Sequence, residues 1–121
     1  MAAPNIVNVS QISANTNLAN VTTVLANVVT NAASSGKVYK INSITLTNYS
    51  SAPASGNVIF NRSTSSPANY YLIGNVIIPS NSTLIVTAKD NSFYMEEGDV
   101  LQMNSSANST IHSAVSYEVI S

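Results

Sequence analysis

Apolar and polar residues alternate along TIHSAVSYEVI, residues 110–120. Ile111, Val115, Tyr117 and Val119 share one face with Ser113, while His112, Ala114, Ser116 and Glu118 share the other. This is the pattern of a strand that packs on one side only. Similar short runs, rich in Val, Ile, Thr and Tyr and separated by Ser/Asn/Gly/Pro clusters, predict strands at about residues 5–12, 17–23, 26–32, 37–48, 57–62, 70–78, 83–89 and 99–104. With the last run they imply an all-β fold: a single antiparallel β-sandwich, jelly-roll-like, spanning residues 1–121, with an extended N-terminal segment over about residues 1–12.

The punctuation between runs refines this. Pro79 lacks the amide that a ladder needs, so it stops the strand ending in LIGNVII, and PSNS turns the chain into TLIVTAK as a hairpin. AASSGK similarly joins NVVTN to KVYKINSITLTN, with Gly36 free to take a positive φ. The stretch NYSSAPASGN reads as a loop between strands. One segment competes: Leu18, Val21, Leu25 and Val28 fall at helical spacing, and LANVTT is nearly repeated as LANVVT. The Asn, Thr and Val residues between them disfavour helix, so two strands with a break near residues 24–26 are expected.

Composition then changes the picture of the surface. Charged residues make up 7% of the chain, against about 25% in an ordinary soluble domain. Polarity is carried by 17 Asn, 20 Ser and 10 Thr. With a net charge of −1, copies repel one another little, which suits a protein packed in an assembly. The basic residues Lys37, Lys40, Arg62 and Lys89 are scattered and form no phosphate-binding patch, which argues against nucleic acid as a partner. No apolar run approaches the ~20 residues of a membrane span, and MAAPNIVNVSQ does not have the form of a secretion signal, so neither membrane nor secretion is expected. The absence of cysteine excludes disulfides and thiolate metal sites and is compatible with synthesis in a reducing cytosol. Seven Asn-x-Ser/Thr sequons are ascribed to the abundance of those residues.

Candidate chemistry is sparse. YMEEGDVLQM, residues 94–103, holds Glu96, Glu97 and Asp99, and with Asp90 these offer oxygen ligands to a hard cation. Their spacing does not match a calcium loop, and Gly98 and Asp99 are explained by a tight turn before the next strand. His112 and Ser113 are adjacent, and neighbours on a strand face opposite ways, so they cannot act as a dyad. No catalytic, cofactor-binding or metal residue is assigned, and no enzymatic activity is expected. Tyr70 and Tyr71 should face opposite sides, placing one in the core; with Asn69 and Arg62 they are the local candidates for a ligand recess. Ile6, Val7, Val9 and Ile12 are candidate interface residues, able to pair with the sheet edge of a neighbouring copy.

The runs NAASSGKVYKINSITLTNYS and IIPSNSTLIVTAKDNSFYMEEGDVLQMNSSANSTIHSAVSYEVIS resemble small virion proteins of tailed bacteriophages, particularly marine and cyanobacterial ones. The likeness covers roughly residues 27–121 and lies in the order of its parts: a Gly-Lys turn before KINSITLTN, a turn before STL, the EEGD entry, a small-residue strand and the closing SYEVI. It implies a non-enzymatic β-sandwich of a phage particle, located in the virion and assembled in the host cytoplasm. The expected role is a capsid decoration, or cement, protein that stabilises the head lattice, with the major capsid protein or other virion proteins as partners. A homo-oligomer, favoured as a trimer, follows from the low charge together with this setting. The alternative is a tail or fibre-associated module that binds a host glycan.

Overall fold

The computed structural model describes residues 9–62 and 68–121. Its strands are β1 (Ile12–Val21), β2 (Ala26–Thr30), β3 (Val38–Asn48), β4 (Ala54–Arg62), β5 (Ala68–Ile78), β6 (Ser82–Thr87), β7 (Phe93–Met95), β8 (Val100–Ser105) and β9 (Ile111–Ile120). The first sheet has the order β1-β9-β3-β6, with β7 also on β3, and the second has the order β2-β8-β4-β5. All pairings are antiparallel. The partners are nested along the chain: β1 with β9, β2 with β8, β3 with β6 and β7, and β4 with β5. Successive nested pairs alternate between the sheets, so one long hairpin is rolled into two layers. That is the jelly roll.

The two inner faces supply the core. Ile41, Ile44, Leu46 and Met95, with Ile111 and Val115, meet Val58, Leu101 and Met103 from the opposite sheet, and all are buried. Gly56 also lies between the sheets: a Cβ there would sit 3.2 Å from Leu46 Cδ1 and 3.7 Å from Ile111 Cδ1. On β9 the expected faces are realised over the first half, with Ile111, Ser113 and Val115 buried and His112 exposed, but at its end Ile120 is buried and Val119 only partly so.

Several expectations change. PSNS and AASSGK are not hairpin turns, because each carries the chain from one sheet to the other. Alternation marks a strand but not the sheet it joins. β4 starts at Ala54 rather than near residue 57, since buried Asn48 closes the preceding loop tightly. Its Nδ2 donates to the carbonyls of Ala52 (2.9 Å) and Ile78 (2.8 Å), and its Oδ1 accepts from the Ser50 amide (2.9 Å) and hydroxyl (2.7 Å). The strand expected to reach residue 89 stops at Thr87, where a 3-10 turn, Lys89–Asn91, bends the chain toward β7. The strand expected at 17–23 begins at Ile12, and the break before β2 lies at residues 22–25.

Candidate functional site

The acidic stretch is a clamped turn. Gly98 takes φ +87°, and the Asp99 amide donates to Glu96 O at 3.1 Å while Asp99 Oδ2 accepts the Glu96 amide at 2.8 Å. Asn31, fully buried, holds the turn from the β2–β3 loop. Its carbonyl accepts the Gly98 amide at 2.7 Å, and its Nδ2 donates to Lys37 O (2.9 Å) and Met95 O (3.1 Å). The Glu97 carboxylate, also buried, accepts the Gly36 amide, for which Gly36 takes φ +70°. A cation does reach this cluster, and it is a side chain. Arg62 Nη2 lies 2.9 Å from Asp99 Oδ2 and 3.2 Å from Glu96 Oε2. The hydrogen bond that Arg62 donates to Asp99, with the charges of Asp99 and Glu96, raises the already high pKa of Arg62. Among the described residues no group of three or more His, Asp or Glu side chains is arranged to hold a metal ion.

Arg62 also forms one wall of a recess. Phe60, Arg62, Tyr70, Leu72, Phe93 and Tyr94 line a space of about 430 Å³. It opens where β5, at the edge of the second sheet, faces β7, at the edge of the first. Phe60 and Phe93 pack tilted, with centroids 5.6 Å apart, and the Arg62 guanidinium sits 5.2 Å from the Phe60 ring. Tyr70 and Tyr94 flank them and are about half exposed. Four of the eight aromatic residues therefore converge here. Flat, partly exposed ring faces beside polar hydroxyls and a fixed cation suit stacking against a neutral ring-shaped ligand. No nucleophile with an orienting base is present among the lining residues.

Of the residues singled out from the sequence, the structure brings Arg62 and Tyr70 into this recess and leaves Tyr71 and Asn69 outside it. Neither tyrosine is in the core. Tyr70 points inward but at the open mouth, and Tyr71 is 64% exposed on the opposite side. Phe60, Leu72, Phe93 and Tyr94 were not anticipated as lining residues; β7, only three residues long, gives no alternating pattern by which to find it. A second, somewhat smaller hollow of about 380 Å³ lies on the outer face of the first sheet, lined in part by Leu18, Thr45, Thr47, His112 and Ala114. His112 stacks on Tyr49 there, with centroids 4.1 Å apart. Ser113 turns inward, and its hydroxyl meets no hydrogen-bond partner among the described residues, so the adjacent pair makes no dyad. Of the candidate interface residues, Ile6 and Val7 lie outside the described residues. Val9 is partly buried, and Ile12 opens β1 opposite Ile120 of the same chain with its side chain 57% exposed.

A third feature is the charge pattern of the sheets. The strand charges are Lys40 on β3, Arg62 on β4 and Glu118 on β9, all interior strands. Every edge strand, β1, β2, β5, β6 and β7, is without charge. Exposed apolar side chains sit on these edges instead, among them Leu18 (75%), Ile77 (70%) and Ile85 (64%).

No protein-family model matches the chain, and no curated protein matches it. Among solved structures, a chain from Bacillus endospore appendages, described as a novel family of disulfide-linked pili, is similar in fold. The TM-score is 0.53 at 8% identity, over 91% of this chain and 85% of that one.

Proposed function

We propose that this chain is a non-enzymatic structural subunit of a multi-copy particle. The observation that carries the reading is the charge-free perimeter of both sheets. A sandwich that lives as a monomer protects its edges with charges, Pro, bulges or very short strands, because unpaired N–H and C=O groups recruit other strands. No edge strand of this chain carries a charge, and β1 is neither short nor bulged. Here the charges sit inside the sheets and the edges are neutral and partly apolar. Such edges suit burial against neighbours. Similarity in fold to a chain of pili agrees with this use of a sandwich, although with no cysteine the present chain has no disulfide link available to it.

The setting we propose is the head of a tailed phage, with the chain as a decoration protein on the capsid lattice. It rests on the resemblance of residues 27–121, and a compact sandwich with broad neutral edges meets the physical needs of that role. The decisive measurement is copy number in purified particles by quantitative mass spectrometry. Hundreds of copies in fixed ratio to the major capsid protein support decoration, and a few to a few dozen refute it. The recess of Phe60, Arg62, Tyr70, Phe93 and Tyr94 favours a second reading, a tail or fibre module that binds a neutral host glycan. Glycan-array binding that is lost in Tyr70→Ala and Tyr94→Ala, together with a low copy number, would select it.

A further inference from the structure

We propose that β1 is a self-complementary docking edge, and that two copies pair antiparallel through it across a two-fold axis, fusing their first sheets into one continuous sheet. The inference deepens the assembly reading and rests on it, naming the partner as the β1 strand of a second copy.

Among the charge-free edges, β1 is the long and regular one. Its ladder with β9 runs unbroken from Ile12↔Ile120 to Val21↔Ile111. β5 is equally uncharged, but its pairing with β4 shifts register twice and Asn75 within it takes φ +51°. β2 and β6 are five and six residues long, and each contains a register shift. A bulged or short edge is a poor template, whereas a straight one offers evenly placed partners.

The hydrogen-bond pattern says which groups are free. Gln11 and Ser121 exchange both amide–carbonyl bonds, at 3.1 and 3.0 Å. In an antiparallel ladder the bonded residues alternate, so the odd-numbered residues of β1 point their N–H and C=O groups at β9. Those of Ile12, Ala14, Thr16, Leu18 and Asn20 point to the open edge. Their side chains share the outer face, where Ile12 and Leu18 are the exposed apolar ones.

A two-fold axis normal to the sheet keeps outer faces together, so even-numbered residues must oppose even-numbered residues. One such register sets Ile12 opposite Leu18, Ala14 opposite Thr16 and Asn15 opposite its own copy. It pairs the two exposed apolar side chains with each other twice and leaves no like charges in contact, since neither strand carries any. β2, which lies beside β1 in the other layer, is uncharged too, so the facing second layers are also neutral. This contact makes a dimer the building unit, in place of the trimer expected from the sequence.

The absence of native cysteine makes the register directly readable. Asn15 would form a non-hydrogen-bonded pair with its copy, with Cα atoms about 4.5 Å apart, inside the range a disulfide bridges. Under mild oxidation, Asn15→Cys is expected to convert most of the chain to a reducible covalent dimer, while Tyr71→Cys, exposed on the far edge of the other sheet, should stay near background. Thr16→Lys should weaken dimerisation roughly tenfold or more by setting like charges across the seam. Circular dichroism establishes that each variant keeps its β signal. If neither Asn15→Cys nor Thr16→Cys cross-links while the unaltered chain sediments as an oligomer, the β1 contact is overturned and the assembly reading stands. Cross-linking of Thr16→Cys in preference to Asn15→Cys overturns the register. If the unaltered chain is monomeric up to its solubility limit and no variant cross-links, both readings fall.

Discussion

Asp99 is wholly buried, and its Oδ2 serves two donors, the Arg62 guanidinium and the Glu96 amide. Removing it takes the acceptor from the Glu96 amide and leaves Arg62 only its longer contact with Glu96 Oε2, at 3.2 Å. Asp99→Ala is therefore expected to destabilise the fold by about 1–3 kcal/mol, the range for leaving a buried hydrogen-bonding group unsatisfied. An unchanged denaturation midpoint would show that the contact contributes nothing. Tyr39 offers a pH test. It stacks on Tyr117 with centroids 5.4 Å apart, and burial, then the neighbouring Tyr117, raises its pKa above the ordinary 10.0. The folded state holds that proton more tightly than the unfolded chain. Its contribution is complete below the unfolded value of 10.0 and is lost as pH rises through the raised folded value. Thermal melts should show a loss of stability above about pH 10 that Tyr39→Phe reduces. Alternation on β9 already separated His112 from Ser113, but nothing in the sequence set Asn31 and Asn48 apart from the other asparagines. Only their burial identifies them as the residues that tie loops to the core.

Among the elements, β4 shows why a small residue stands inside a strand. Gly56 faces Leu46 and Ile111 across the core at contact distance. A side chain there crowds the Leu46 methyl, which must give by a few tenths of an ångström for the first carbon alone. Gly56→Val should cost about 1–3 kcal/mol, as overpacking of a filled core does, and urea denaturation measures it. A variant as stable as the original would mean that the sheets close with slack at that end. The recess follows from elements as well. β4 and β5 carry Phe60, Arg62, Tyr70 and Leu72, and the sequence pointed to Arg62 and Tyr70 because both lie in recognisable strands. Phe93 and Tyr94 arrive on β7 from the other sheet, a contact fixed by the 3-10 turn that precedes it.

For the whole molecule, the position of the few charges matters more than their sum. Lys40, Arg62 and Glu118 occupy interior strands, so contacts made through the edges involve hydrogen bonds and apolar area without ion pairs. Screening by salt then has little to act on. Oligomer dissociation constants measured by sedimentation should change by less than about threefold between roughly 0.05 and 0.5 M sodium chloride. A steep loss of association with salt would mean that charged surfaces, and not the edges, hold copies together.

Residue order alone determined that this chain forms strands, the approximate positions of most of them, the stop at Pro79, the turn at Gly98 and the scarcity of charge. Each depends on a neighbour or two: period-two alternation, a missing amide, a permissive φ, a count. Which strand pairs with which was decided only in three dimensions. Alternation says that a face is buried but not against what, so the turns at AASSGK and PSNS looked like hairpins and are crossings between sheets. The clamp on Asp99, the aromatic recess and the neutral perimeter share that origin. Arg62 is 37 residues from Asp99, and whether an uncharged strand lies at an edge or in the middle is a property of the sheet, which exists only once the nested hairpin has rolled up.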